Sequence, residues 1–266
     1  MIKAIIFDLD DTLLWDQKSV KEAFVATCLV ASQKYDIDPS ILEEAVREEA
    51  IKLYSSYDTY EFTQLIGISP LEGLWGNFVD DEENFKKLRE IVPTYRYEAW
   101  TRGLKRLDIN DPLFGQELGE LFRVERRNKP FVYDDTFEVL DILNNHYKLL
   151  LLTNGSPDLQ KTKLDITPEL IPYFDHIIIS GTFGKGKPHP SIFEHAVSQL
   201  SINKDEVLMV GDNLMTDILG ANQVGIKSVW INRHDKPRNE VIPTFEISNL
   251  KELFTLLNSL KENLKS

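Results

Sequence analysis

Short apolar runs recur along this chain, and most stop abruptly at a carboxylate, an amide or a glycine. That pattern limits what the sequence can fold into. Residues 2–7, 147–152, 176–179, 207–210 and 227–231 are rich in Ile, Val and Leu. They are too short for helices, so they read as buried strands. Residues 244–247 are a weaker candidate of the same kind. Helical spacing lies between them, over residues 134–145, 191–200, 215–224 and 249–260. Strands alternating with helices predict an α/β fold, a Rossmann-like, doubly wound parallel sheet covered on both faces.

The segment from about residue 18 to about 129 breaks the alternation. Residues 19–35 place Val20, Ala23, Phe24, Thr27 and Cys28 on one helical side. Residues 39–54 open on Asp38-Pro39, a helix start signal. Residues 81–92 continue the helical spacing up to a break expected at Pro93, and residues 95–107 and 113–127 follow. No strand is read there. The expected organisation is an α/β core at 1–16 and 130–266, with an all-helical domain at 17–129 inserted after the first strand. Residues 261–266 are expected to be a frayed helix end.

Composition closes off several function classes. The net charge of −13 repels phosphate backbones, which argues against nucleic acid as the main partner. A substrate carrying phosphate therefore needs a local positive site. The single cysteine, Cys28, excludes an intramolecular disulfide and a multi-cysteine metal cluster. It is expected to be a small buried hydrophobe. The apolar N-terminal run is too short for a signal-peptide core, and no run is long enough to span a membrane. The expectation is a cytoplasmic protein with no membrane partner. Trp75 and Trp100 are expected in the core. Arg96, Arg102, Arg126 and Arg127 are expected on solvated helix faces.

Chemistry gathers at four of the strand ends or the loops that follow them. Asp8-Leu9-Asp10-Asp11-Thr12 follows the first strand, where two carboxylates two residues apart can share a crevice. An acidic turn with capping roles for Asp11 and Thr12 is the alternative reading, and the functional one is favoured. Thr153-Asn154-Gly155 ends the second strand; its hydroxyl and amide can donate to an anion, although the tripeptide is also an ordinary turn. Lys187 lies in Gly184-Lys185-Gly186-Lys187-Pro188-His189-Pro190, where the prolines hold a positive charge in one place. Gly211-Asp212 ends another strand, and Asp217 lies one turn into the helix beyond it. Both carboxylates can approach a hard cation. His189 and His195 are read as loop and helix-face residues.

Taken in order, these motifs resemble the haloacid dehalogenase-like hydrolase superfamily: Asp-x-Asp-x-Thr, then Ser/Thr, then Lys, then Gly-Asp with a second Asp. The stretch between Asp10 and Thr153 takes up about half the chain, whereas Thr153 and Lys187 stand close. That spacing resembles the subgroup with a helical cap after the first motif. The resemblance implies Asp8 as nucleophile, Asp10 as general acid and base, and Lys187 as the balancing charge. It implies phosphate binding by Leu9, Asp10, Thr153, Asn154 and Lys187. It implies Mg²⁺ held by Asp8, Asp10 (through its backbone carbonyl) and Asp212, with Asp217 in support. The implied partner is a small phosphorylated metabolite whose leaving group the cap reads. Asp10 favours a phosphatase over a 2-haloacid dehalogenase. A phosphosugar mutase and a receiver-like phospho-aspartate switch remain as alternatives. Residues 7–16 resemble members assigned as phosphoserine phosphatases, which makes phosphoserine the first candidate substrate.

Overall fold

A computed structural model describes residues 1–238 and 240–262. Strand β1 is Ala4–Phe7. Six helices follow: α1 Asp16–Tyr35, α2 Pro39–Tyr54, α3 Tyr60–Ile66, the single turn α4 Pro70–Gly73, α5 Glu83–Lys105 and α6 Pro112–Asn128. The alternation then resumes with α7 Thr136–Leu143, β2 Lys148–Thr153, α8 Pro157–Asp165, β3 His176–Ile179, the short α9 Ser180–Phe183 and α10 Pro190–Leu200. It closes with β4 Val207–Gly211, a π-helical turn Leu214–Ile218, α11 Leu219–Val224, β5 Lys227–Ile231, β6 Phe245–Ile247 and α12 Glu252–Glu262. Residues 263–266, part of the expected frayed end, lie outside the described residues.

The six strands form one parallel sheet in the order β3-β2-β1-β4-β5-β6. β1 is central, and the sequence order runs outward from it in both directions. That is the switch point where open α/β sheets place their sites. Register sets the level: Phe7 pairs with Leu151 of β2 and with Val210 of β4. Asp8 and Gly211 therefore emerge level with each other, and Thr153 lies one residue further along β2. β1 and β4 are buried at every residue, as continuous apolar strands of a two-sided sheet must be. Ile6, Leu150, Leu152 and Met209 pack on one face under Ile192, Phe193 and Ala196 of α10.

Contacts divide the chain into two compact units. One comprises Met1–Trp15, Val132–Asn154 and the described residues from Thr167 onward; the other comprises Asp16–Phe131 and Gly155–Ile166. The second unit is helical throughout its regular structure. Its core joins Phe24 and Cys28 of α1, Val46 of α2, Trp75 from the segment after α4, Tyr95 and Trp100 of α5, and Phe122 of α6. Segment 155–166, which the sequence reading left with the sheet, clusters with these helices. α8 supplies Leu159 to their core and Lys163 to a buried ion pair with Glu72.

The break expected at Pro93 does not occur, and α5 runs through it. Pro93 and Arg89, whose carbonyl loses its helical donor, are both exposed, so water can satisfy that group. Phe85, Leu88 and Val92 before the proline are buried, as are Tyr95, Ala99 and Trp100 after it. Their burial outweighs the proline's penalty of about 3 kcal/mol. Arg96 and Arg126 also differ from expectation. They are 5% and 2% exposed rather than solvated. Arg126 donates to Asp16 at 2.5 Å and lies 4.6 Å above the Trp75 ring, so its charge is matched inside the bundle. Trp75, Trp100 and Cys28 are buried, as expected.

Candidate active site

Asp8 leaves the end of β1 with its N–H on the Val210 carbonyl at 3.0 Å. The chain then wraps around the Leu9 carbonyl, which accepts from the N–H groups of Leu13 and Leu14 at 3.0 and 2.9 Å. Asp11 takes the left-handed conformation, φ 59°, that closes this loop. Aspartate tolerates that region better than most residues.

The loop folds Thr12 back under Asp8. The Thr12 hydroxyl donates to Asp8 Oδ2 at 3.1 Å and accepts from the Asp212 N–H at 3.1 Å. One fully buried hydroxyl thus joins the ends of β1 and β4. Lys187 reaches the other Asp8 oxygen. Its Nζ lies 2.5 Å from Asp8 Oδ1, 2.7 Å from Asp217 Oδ1 and 2.7 Å from the Leu152 carbonyl. These three acceptors match the three protons of an ammonium group.

Asn154 has a part that was not expected. Its side-chain amide clamps the Lys187 backbone, donating to the Lys187 carbonyl at 2.9 Å and accepting the Lys187 N–H at 2.8 Å. Thr153 is buried beside it at the end of β2. His189 caps α10 through the Ser191 N–H at 3.2 Å, and His195 stacks on Phe183. Both match their reading as loop and helix-face residues.

The helix expected over 215–224 begins one residue early as the π-helical turn. Ile218 N–H reaches the Asn213 carbonyl at 3.3 Å, five residues back. The wider turn carries Asp217 over Gly211. A Cβ on Gly211 would collide with the Asp217 carboxylate, so only glycine fits there.

Carboxylate oxygens of Asp8, Asp212 and Asp217 lie within 4.8 Å of one another. The Asp10 carboxylate is not in that group. Burial pushes the Asp8 carboxyl up to about 6; the Lys187 charge pulls against this, and Asp217 adds to it. Burial raises Asp212 to about 8, with Asp8, Asp217 and Asp11 pushing the same way. Burial alone would lower the Lys187 pKa, but Asp217 and Asp8 hold it above the usual lysine range. Two buried carboxylates and the half-buried Asp212 against this lysine call for a further cation, and a donor set made only of oxygens suits a hard divalent ion. The residues fit Mg²⁺. Asp217 is better suited to support than to ligation, because Lys187 and the Asn213 N–H already occupy its two oxygens.

A second layer was not read from the sequence. Trp230 donates through Nε1 to the Asp212 carbonyl at 2.8 Å, and Lys236 Nζ lies 3.4 Å from Asp212 Oδ2. Arg233 reaches the Thr12 carbonyl at 3.2 Å. The available signal was position: Arg233 and Lys236 follow the carboxyl end of β5, next to β4 in the sheet.

The family profile of the haloacid dehalogenase-like hydrolases matches residues 2–225. The phosphoserine phosphatase of Thermus thermophilus is 31% identical over 254 residues, which cover 95% of this chain and 98% of that protein. The N-acylneuraminate-9-phosphatase of Homo sapiens is 33% identical over 268 residues, covering 97% and 95%. Among solved structures, the HAD-hydrolase YfnB from Bacillus subtilis bound to magnesium aligns with a TM-score of 0.66 at 23% identity, over 97% of this chain and 99% of that one. A 2-haloacid dehalogenase from Pseudomonas syringae aligns at 0.58 and 22%, over 98% and 100%. At these identities the two structures attest the fold alone. With the family profile spanning most of the chain, and the ordered motifs converging at the switch point of the sheet, this chain belongs to the haloacid dehalogenase-like hydrolase family.

Proposed function

We propose that this chain is a Mg²⁺-dependent phosphatase of small phosphomonoesters that carries the phosphoryl group on Asp8. The observation that supports this most is the Asp8 carboxylate itself. It is fixed between Lys187 and Thr12 at the switch point, with Asp212 beside it. A carboxylate so oriented can act as a nucleophile.

An Asp8 oxygen attacks phosphorus, and the bond from phosphorus to the leaving oxygen breaks. Asp10 gives its proton to that oxygen. In the second half, Asp10 takes a proton from water as the water oxygen attacks phosphorus. The bond from phosphorus to Asp8 then breaks, which restores the carboxylate and releases phosphate. Lys187 offsets charge on Asp8 and on the phosphoryl oxygens, and the N–H groups of Leu9 and Asp10 with Thr153 bind those oxygens. Asp8, Asp212 and the Asp10 carbonyl would hold Mg²⁺, which would supply positive charge to offset that of the phosphoryl oxygens. Asp10 also separates this reading from a dehalogenase. Halide departs without a proton, whereas an alkoxide needs one.

We assign the choice of substrate to the helical unit, as its cap role. That unit has a cavity of about 300 Å³ whose walls include Asp16, Arg47, Ser69, Glu72, Trp75 and Arg126. Its charged walls are paired within the unit, Arg126 with Asp16 and Glu72 with Lys163. The Thermus thermophilus relative supports phosphoserine as the first candidate.

The test is phosphate release from phosphoserine, sugar phosphates and nucleoside monophosphates, with and without Mg²⁺, beside Asp8→Asn. Release that needs both Mg²⁺ and Asp8 is expected, with phosphoserine among the best substrates. Turnover of 2-haloacids without phosphate release from any ester would overturn the reading.

A further inference from the structure

Arg233 lies just past β5, outside the motifs that brought Asp8 and Asp212 together. Its guanidinium makes a two-pronged bond to Asp135, with NH1 to Oδ2 at 3.1 Å and NH2 to Oδ1 at 2.9 Å. NH2 also donates to the Thr12 carbonyl at 3.2 Å. Its guanidinium carbon lies over the Tyr133 ring, 3.8 Å from the centroid, and Tyr133 in turn stacks on Trp15 at 5.1 Å. Asp135 is buried, and it also accepts the Leu250 N–H at 2.7 Å.

The position of Thr12 gives this arrangement its consequence. The Thr12 side chain bridges Asp8 Oδ2 and the Asp212 N–H, while the Thr12 carbonyl on the opposite side is held by Arg233. The neighbouring Leu13 carbonyl is held by the Thr136 hydroxyl at 2.9 Å and the Tyr133 N–H at 3.2 Å. Residues 133–136 and Arg233 thus form a rigid backing for the loop that spaces the two carboxylates.

We propose that Arg233 is a positioning residue: through Thr12 it sets the spacing of Asp8 and Asp212 that a divalent cation requires. This rests on the reading of those carboxylates as metal-holding. Arg233 acts by geometry, because Asp135 already neutralises its charge. The alternative, a staple for Asp135 and the start of α12 alone, differs in what it expects of metal affinity. A pure charge effect differs in sign. Removing Arg233 would leave Asp135 uncompensated near the site, and cation binding would tighten.

The test is Mn²⁺ affinity by electron paramagnetic resonance on the full chain without substrate, for the parent, Arg233→Lys and Arg233→Met. Melting temperature and the Mg²⁺ dependence of phosphate release are measured beside it. Arg233→Lys keeps the charge and loses the planar fork. Both variants are expected to bind Mn²⁺ about tenfold to a hundredfold more weakly, the scale of losing a group that orients a metal ligand. For Arg233→Lys, kcat at fixed Mg²⁺ falls and KM for the phosphomonoester holds within about twofold, because the change lies behind the loop. Parent-like or tighter Mn²⁺ binding by folded Arg233→Lys would overturn the proposal, whatever the melting temperature does. If Arg233→Met fails to fold, Arg233→Lys decides. A parent that binds no Mn²⁺ would overturn both this inference and the metal reading beneath it. A parent that binds Mn²⁺ but hydrolyses no ester would count against the phosphatase reading alone.

Discussion

Lys187 shows how tightly single residues are bound into this site. Its ammonium is buried between Asp8 and Asp217, so removing it leaves like charges facing each other without water. Breaking a buried pair from one side costs about 3–5 kcal/mol. Lys187→Met should therefore lose stability on that scale in urea unfolding at pH 7 without Mg²⁺, as well as losing activity. A loss below about 1 kcal/mol would show that the pair is weakly coupled. Cys28 offers a contrasting test. Burial pushes its thiol up to about 12, with Glu43 adding to the effect. At pH 8 only about one thiol in ten thousand is ionised, so a thiol reagent should not react until urea is added. Full reaction of the native protein within minutes would contradict this burial. At this scale the residues proposed for the chemistry were visible in the sequence, because Asp8, Thr153 and Asp212 stand at or just past strand ends and Lys187 lies in a loop beyond one. It did not show Asn154 as a clamp, Arg96 and Arg126 as buried, or Arg233 behind the loop. Those roles come from partners distant along the chain, as with Arg233 and Thr12.

Among the elements, the strands were legible to within a residue or two, because a two-sided parallel strand reads as a short continuous apolar run. The long helices were legible from their spacing. α3, α4, α8 and α9 were not, since segments of four to nine residues offer too little periodicity. Pro93 misled because local chemistry argued for a break and packing overrode it. The helical unit has its own electrostatic anchor at the start of α1. Burial would raise the Asp16 carboxyl, but Lys163 and Arg126 outweigh it and hold it below the usual range. The folded value is thus lower than the unfolded value of about 3.9. The pair's contribution is present above that unfolded value and is lost as pH falls through the folded one. Asp16→Asn should melt below the parent at pH 7, and the gap should narrow as pH drops from about 4 toward 3. A gap that stays constant over that range would show that the carboxylate's charge contributes nothing.

For the whole molecule, the order of the motifs and the long stretch before Thr153 made the α/β sheet and the inserted helices readable. The assignment of residues 155–166 was not, since a helix beginning just after a sheet strand gives no sign in sequence of which unit it packs into. The net charge of −13 finds its local exception at Lys187 and at the cation proposed for Asp8 and Asp212. A phosphoryl group on Asp8 is the central claim, and trapping it is the most direct test. The protein would be mixed with phosphoserine and Mg²⁺, quenched in acid within one turnover, digested and read by mass spectrometry. The expected result is a phosphorylated peptide containing Asp8 that disappears on a chase with water and never forms in Asp8→Asn. Rapid phosphate release with no phosphorylated Asp8 at any quench time, and undiminished release by Asp8→Asn, would contradict it.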